Sequence, residues 1–198
     1  MRKRLNMMRH KFFAARSARL CVVLVALAVC GAVRAGAVSD ESDVRSAVEQ
    51  AFGQLRAGDY AALYDALPTA SQRRLPREKF VNGLERSRNV YQLDRLEIGA
   101  VHVAGDLAVA DTIVYAHARQ PFEAEGKIVA RQYLLREGGR WRVTTGDRAT
   151  INPLLAANPT FAKRYPATQP RVYIKREGRW VDLQTMMKDM RPNKSKRT

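Results

Sequence analysis

Cysteine is scarce in this chain of 198 residues, and both cysteines, Cys21 and Cys30, fall within the first 37 residues. If that segment is removed, the remaining chain contains no cysteine. Such a domain cannot be held by a disulfide, use a thiolate nucleophile or bind a metal through sulfur. We therefore expect its hydrophobic core to hold it together.

The same N-terminal segment lacks acidic residues and a long hydrophobic run. Its apolar stretch from Leu20 to Val33 has 14 residues, fewer than the about 20 that a membrane-spanning helix needs. Small residues follow at Ala35 to Ala37. Eight basic side chains accompany them: Arg2, Lys3, Arg4, Arg9, Lys11, Arg16, Arg19 and Arg34. This pattern predicts a secretory signal peptide over residues 1–37, cleaved after Ala37 or, as the alternative, after Ala35.

The start of this leader is left open between Met1, Met7 and Met8, and two other interpretations of the leader carry less weight. A start at Met7 or Met8 would shorten it without changing its type. Lipidation at Cys30 needs a small residue one position earlier, where Val29 stands. An uncleaved anchor is disfavoured by length. Export predicts a periplasmic or extracellular location, which argues against nucleic acid as a partner.

Histidine is also rare, because only His102 and His117 remain after the leader. Neither has a carboxylate or a second histidine at metal-ligand spacing. No Ser–His–Asp arrangement, phosphate loop or dinucleotide fingerprint is found. The sequence therefore predicts no metal and no cofactor.

Helical periodicity dominates the first part of the predicted mature chain. A first helix follows Ser39 and ends at Gly58, with apolar residues at Val44, Ala47, Val48, Ala51, Phe52 and Leu55. A second begins after Asp59, which is a plausible N-cap, and stops at Pro68. After a polar turn, "PTASQRR", a third helix opens at Pro76.

From Leu93 onward the pattern changes to extended segments. The longest predicted strand covers Leu107 to Ala118, with its bulky residues on the odd-numbered face. A third strand is predicted over Gly126 to Arg136 and a fourth over Arg140 to Thr145. The segment from Thr150 to Pro170 holds four of the eight prolines. It is expected to be an irregular connection with a helical turn at Leu154 to Ala157.

Two stretches of the chain nearly repeat one another: "YLLREGGRWRV", Tyr133 to Val143, and "YIKREGRWVDL", Tyr173 to Leu183. Both are interpreted as β-hairpins. The first is given a three-residue loop, Glu137 to Gly139, and the second a two-residue loop of Glu177 and Gly178. The sequence leaves open whether the second hairpin extends the main sheet or packs as a small cap.

The helical junction "LRAGDYAALYDAL", the following "REKFVNGL" and the strand ending "GGRWRV" together resemble the NTF2-like (cystatin-like α+β cone) superfamily, closest to its exported bacterial members. The resemblance implies an α+β fold with three N-terminal helices packed on a curved antiparallel sheet and a conical cavity between them. It assigns residues 38–149 to this domain, 150–187 to a proline-containing connection and C-terminal hairpin extension, and 188–198 to a basic tail. Some members of the superfamily are isomerases or dehydratases, whereas others only bind a ligand or a partner.

Asp111 is the most unusual residue of the predicted strands, because it lies between Val109 and Ile113 on an apolar face. With Tyr115, and with Tyr60 or Tyr64 from the second helix, it forms the candidate pocket lining. In an enzyme of this fold, Asp111 would be the base and Tyr115 or another tyrosine the acid. The structural alternative is that a bulge exposes Asp111 or that an arginine such as Arg131 or Arg142 pairs with it.

Binding to a partner is the other class of function that the sequence suggests. Trp180 in the second hairpin is a candidate partner contact. The segment from Lys188 to Thr198 carries a net charge of +4 and is either a solvated tail or a contact with an anionic surface. A homodimer through the sheet is a further expectation from the resemblance. We expect an exported, non-enzymatic binding or accessory module of the cell envelope with a small apolar pocket, whose partner is an envelope protein or a small molecule.

Overall fold

The computed structural model describes residues 39–120 and 123–189. The predicted signal peptide and most of the predicted tail lie outside the described residues. The described residues from Glu41 onward belong to one compact unit. This unit is an α+β fold in which helices pack on both faces of an antiparallel sheet. Within the described ranges, no helix has both the length and the hydropathy needed to cross a membrane.

Four helices precede the sheet. They are α1 (39–57), α2 (Tyr60–Asp65), α3 (Thr69–Arg74) and α4 (Arg77–Ser87). Gly58 ends α1 with a positive φ of 80°, which glycine adopts without strain. The Asp59 carboxylate accepts a hydrogen bond of 3.1 Å from the Ala62 amide and so caps α2. The predicted end of α1 and the predicted cap of α2 are both confirmed.

The segment predicted as a polar turn is the helix α3, so the expectation of three N-terminal helices is wrong by one helix. Side chains from distant and from neighbouring parts of the sequence make hydrogen bonds with the backbone groups at the ends of α3. Glu137 accepts hydrogen bonds from the Thr69 amide at 3.0 Å and the Thr69 hydroxyl at 2.9 Å. The Tyr64 hydroxyl donates to the carbonyls of Gln72 and Leu75. Because the Glu137 cap comes from 68 residues away, no local pattern could indicate it.

Six strands form one open antiparallel sheet in the order β1-β2-β3-β5-β6, with β4 also paired to β3. Their bounds are β1 (Tyr91–Ala104), β2 (Leu107–Ala118), β3 (Ala124–Glu137), β4 (Arg140–Val143), β5 (Arg171–Arg176) and β6 (Arg179–Asp182). The predicted bounds of β2 are confirmed. The second hairpin extends the sheet, because β5 pairs with β3 from Gly126 to Val129, and a short helix α7 (Leu183–Asp189) follows β6. α7 thus runs two residues into the segment predicted as the basic tail.

Both hairpins have two-residue loops, so the three-residue loop predicted for the first is wrong. Glu137 pairs with Arg140, which leaves only Gly138 and Gly139 in the β3–β4 loop, both with positive φ. Arg176 pairs with Arg179 across the second loop. Positive φ at both loop positions is the geometry that matches the twist of adjacent strands.

The first copy has one more residue between its tyrosine and its tryptophan than the second copy. Since both loops have two residues, this additional residue belongs to the strands, and it places the tryptophan on the other face of the sheet. Trp141 is opposite Arg136, so Tyr133 and Trp141 are on opposite faces of the sheet. In the second copy Trp180 is opposite Lys175 and shares a face with Tyr173. A shift of one residue moves a side chain to the other face. The two similar sequences are two hairpins built differently, not a repeated binding motif.

Each face of the sheet has its own hydrophobic core. On the α1 face, Val44 and Val48 pack against a buried set from the strands: Val101, Ala108, Ala110 and Leu134. On the opposite face, here named the α5 face after the helix α5 (Arg148–Ala156), a second set packs together: Leu107, Val109, Tyr133, Ile151, Leu155 and Phe161. The alternation along β2 produces this division, because its small even-numbered residues face α1 and its bulky odd-numbered residues face the other way.

The second core depends on two helices in the segment predicted to be irregular, α5 (Arg148–Ala156) and α6 (Pro159–Arg164). Pro153 lies inside α5 and cannot donate the hydrogen bond that would reach the Ala149 carbonyl. The Arg74 guanidinium donates to that carbonyl instead. This tertiary contact allows a helix where the prolines indicated a connection.

Candidate functional site

The four candidate pocket residues lie on two sides of the sheet and do not form one site. Asp111 and Tyr115 are on the α5 face of β2. Tyr60 and Tyr64 belong to α2, which packs with the helices on the α1 face. Since the sheet separates the two pairs, a shared constellation of Asp111 as base and an α2 tyrosine as acid is not present.

Asp111 is paired with an arginine, which is the structural alternative to a catalytic role. Its carboxylate accepts a hydrogen bond of 3.0 Å from Arg131 Nε, directly across the β2–β3 pair. Burial disfavours the charge of the Arg131 guanidinium, but the hydrogen bond and charge of Asp111 outweigh it and raise the pKa of Arg131. Asp111 borders a groove of about 900 Å³ on the α5 face, together with Glu97, Arg171 and Tyr173.

Tyr115 and Trp180 belong to an aromatic and cationic cluster on the α5 face. Their rings are in edge contact, with centroids 6.2 Å apart. The Tyr115 hydroxyl donates to Glu97 at 3.2 Å, and the Arg95 guanidinium lies 3.8 Å from its ring centroid. Lys127 Nζ is 4.7 Å from the Trp180 ring centroid. Trp180 thus joins the second hairpin to β2, and 36% of its surface remains exposed.

The two tyrosines of α2 have different environments. The hydrogen of the Tyr64 hydroxyl is already engaged, because it is shared between two backbone carbonyls around α3. Tyr60 is only 6% exposed and lines a separate pocket at the junction of α1, α4 and β1. In the described part of the chain its hydroxyl has no hydrogen-bond partner.

A cavity of about 220 Å³ with mostly apolar lining lies on the α1 face, and it is here named the helix–sheet cavity. Three helices, four strands and the segments that follow α2 and β4 supply its lining: Val48, Ala51, Phe52, Leu55, Leu63, Leu67, Phe80, Leu84, Leu96, Thr112, Val114, Gln132, Val143, Thr144 and Thr145. None of these residues has an ionisable side chain. A cavity lined mostly by apolar groups with a few neutral polar ones is suited to holding a neutral ligand rather than moving protons.

The polar groups of the helix–sheet cavity lie on its sheet side. Thr112 donates its hydroxyl hydrogen to the Ala130 carbonyl at 3.1 Å. Thr144 is 5% exposed, and its buried hydroxyl oxygen has no hydrogen-bond partner among the described residues. An unpaired buried hydroxyl costs about 1–3 kcal/mol. The Thr144 hydroxyl is therefore available to a polar atom of a bound molecule.

Thr145 links the rim of this cavity to α5. Its hydroxyl donates to Asp147, and Asp147 also accepts from the Thr150 amide at 2.9 Å and the Thr150 hydroxyl at 2.6 Å. Partial burial opposes ionisation, but these hydrogen bonds and the charge of Arg74 lower the pKa of Asp147 overall. The ionised carboxylate thus holds the segment between β4 and α5 in place.

The two histidines lie apart from the helix–sheet cavity. His102 stacks on Tyr165, with ring centroids 5.1 Å apart, and His117 is paired in register with Gln92 and Glu125. Residues 39–120 and 123–189 contain no cluster of three or more His, Asp or Glu side chains suited to a metal ion.

Sequence reasoning did not identify Gln132 and Thr144 as cavity residues. Gln132 carries a usable signal, since it is a polar residue between Ala130 and Leu134 on the face of β3 that also carries Ile128. Thr144 carries none, because it follows the last strand residue and its burial depends on the helices above it.

No family model matches this chain, and no curated protein matches it at a significant level.

Proposed function

We propose that this protein is an exported binding module of NTF2-like fold that holds a small neutral molecule in the helix–sheet cavity and carries out no chemistry on it. The observation that carries the proposal is the cavity lining, which combines apolar walls, one buried unpaired hydroxyl and no ionisable group. The helices on the α1 face of the antiparallel sheet, with a cavity beneath them, are the feature that supports the cone fold implied by the resemblance, whereas α5 and α6 on the other face are additional to it. The signal-peptide pattern of residues 1–37 supports export.

The size and chemistry of the cavity define the ligand class. An apolar cavity of about 150 Å³ accepts benzene, so a cavity of about 220 Å³ accepts a compact molecule of similar or slightly larger size. One hydrogen-bonding group on that molecule would pair with Thr144. An ionised group is disfavoured, since a charge without a partner in an apolar site is costly.

The test compares toluene, phenol and benzoate, which are similar in size but differ in polarity and charge. Saturable shifts of the Leu96 and Val114 methyl NMR signals should appear with toluene and phenol. Benzoate, which is ionised at neutral pH, should bind at the cavity at least tenfold more weakly. Absence of saturable shifts with both toluene and phenol would contradict the proposal.

Two variants show whether binding occurs in the cavity. Ala51→Phe fills the space and should abolish binding of both ligands, whereas Ala61→Phe, on the exposed side of α2, should not. Thr144→Val keeps the side-chain shape. This variant should weaken the binding of phenol roughly two- to tenfold, which corresponds to one net hydrogen bond. The affinity for toluene should not change. Thermal unfolding of each variant establishes that it is folded.

A further inference from the structure

A second pocket, of about 620 Å³, lies where the C-terminal ends of α1 and α4 meet the start of β1. We name it the arginine pocket, because Arg56, Arg88 and Arg119 all line it. None of the three forms a salt bridge with another described residue. The pocket lining contains a single carboxylate, Asp94, so the local charge is close to +2.

A favourable interaction with a helix dipole explains the positions of only two of the three arginines. Arg56 and Arg88 lie at helix C-terminal ends, where a cation is favourable. Arg119 instead follows the strand β2, where no helix ends. Its backbone amide donates to the Val90 carbonyl at 2.8 Å, which holds it beside the start of β1. A third cation is thus brought to the pocket by the tertiary structure.

Tyr60 adds a neutral hydrogen-bond donor to the lining of the arginine pocket. The residue as a whole is 6% exposed, but its hydroxyl oxygen is accessible and has no hydrogen-bond partner in the described part of the chain. The hydroxyl can therefore donate to a molecule in the pocket or to solvent. Here three cations and one neutral donor border the same space.

We infer that the arginine pocket binds the dianionic phosphoryl group of a phosphate monoester. Guanidinium groups match the oxygens of a phosphoryl group with paired hydrogen bonds. A dianion balances the local charge, whereas a single carboxylate would leave one cation in excess. The volume exceeds that of a phosphoryl group, and Leu55, Tyr91 and Leu93 provide an apolar wall for the organic part of the ester.

This site is distinct from the helix–sheet cavity, although Leu55 lines both. Occupation of the arginine pocket does not require a ligand in the cavity. All three arginines are exposed, so binding is expected to weaken as salt is raised.

The test is a calorimetric titration of the full chain with inorganic phosphate and with phenyl phosphate. The double variant Arg88→Gln/Arg119→Gln should raise the dissociation constant of both at least tenfold. The matched control Arg176→Gln/Arg179→Gln removes the same charge from the second hairpin and should change it less than twofold. Tyr60→Phe keeps the ring and should weaken binding about two- to fivefold. Thermal unfolding identifies any variant that fails to fold.

A second arm separates a soluble ester from a lipid headgroup. Vesicles of phosphatidylcholine with one fifth phosphatidic acid are compared with vesicles of phosphatidylcholine alone, using the same variants. Arginine-dependent binding in either arm supports the site and identifies its source. The inference is overturned if the full chain binds neither probe nor the phosphatidic acid vesicles, or if the control variant loses as much affinity as the arginine-pocket variant.

Discussion

The Asp147 carboxylate caps α5 and accepts hydrogen bonds from the hydroxyls of Thr145 and Thr150. One of its oxygens lies 3.8 Å from a guanidinium nitrogen of Arg74. These partners favour its ionised form and lower its pKa. A carboxyl group with a lowered folded-state pKa stabilises the protein above the ordinary aspartate value of about 3.9. This contribution is lost as the pH falls through the folded-state pKa.

Replacement of Asp147 by asparagine is therefore expected to act in a pH-dependent way. At pH 7, Asp147→Asn should lower the free energy of unfolding by about 1 kcal/mol. The difference from the unmodified protein should narrow as the pH is lowered from about 4 to 2, because the carboxyl group is then neutral. Urea unfolding at several pH values measures this difference in the free energy of unfolding. A difference that stays constant over this range would show that the ionised carboxylate has no special role.

At the scale of elements, the β5–β6 turn contains the only non-glycine residue with positive φ in the described ranges, Glu177 at 49°. A residue with a Cβ atom is strained by roughly 1–2 kcal/mol in this conformation. The β3–β4 turn avoids the strain by using two glycines. The short extension hairpin is thus stabilised less by its turn than by its contacts with β3.

Glu177→Asn is expected to stabilise the protein by about 0.5–1 kcal/mol, because asparagine tolerates positive φ and Asn-Gly is the preferred pair for this turn. Urea unfolding measures the gain. Glu177→Ala removes the same carboxylate but retains the strain, so it should give no gain. Equal effects of the two substitutions would show that the turn conformation is not the cause.

At the scale of the whole molecule, the second hairpin completes the sheet rather than forming a separate unit. It covers the edge of β3 between Gly126 and Val129, and Trp180 contacts Tyr115 on β2. Its removal would expose backbone hydrogen-bonding groups and apolar side chains of β3 together.

Truncation after Pro170 is expected to lower the free energy of unfolding by more than about 2 kcal/mol, because several cross-strand pairs and their buried surface are lost. Truncation after Asp189 removes only residues 190–198 and should change it by less than about 0.5 kcal/mol. Both are measured by urea unfolding. Similar stability of the two truncated chains would mean that the hairpin adds nothing to the sheet.

The predicted homodimer through the sheet stays a prediction. α5 and α6 cover the part of the α5 face that includes Leu107, Val109 and Tyr133. A second copy would therefore have to use the remaining part of this face, around Tyr115 and Trp180, or an edge of the sheet.

Local patterns were sufficient for much of the fold. Asp59 and Gly58 indicated a helix start and a helix end through their own side-chain and backbone chemistry, and alternation indicated the bounds of β2. These features depend on residues close in sequence. α3 and α5 were missed because Glu137 and Arg74 satisfy their backbone groups from far along the chain.

The sequence by itself determined the α+β class, the order of most elements and the two faces of β2, because periodicity and turn chemistry act over a few residues. Only the tertiary structure decided which candidate residues share a site. The sheet separates Asp111 from Tyr60, since strand order and helix placement depend on contacts between distant segments. The same long-range packing creates the helix–sheet cavity around Thr144 and gathers three arginines around Tyr60.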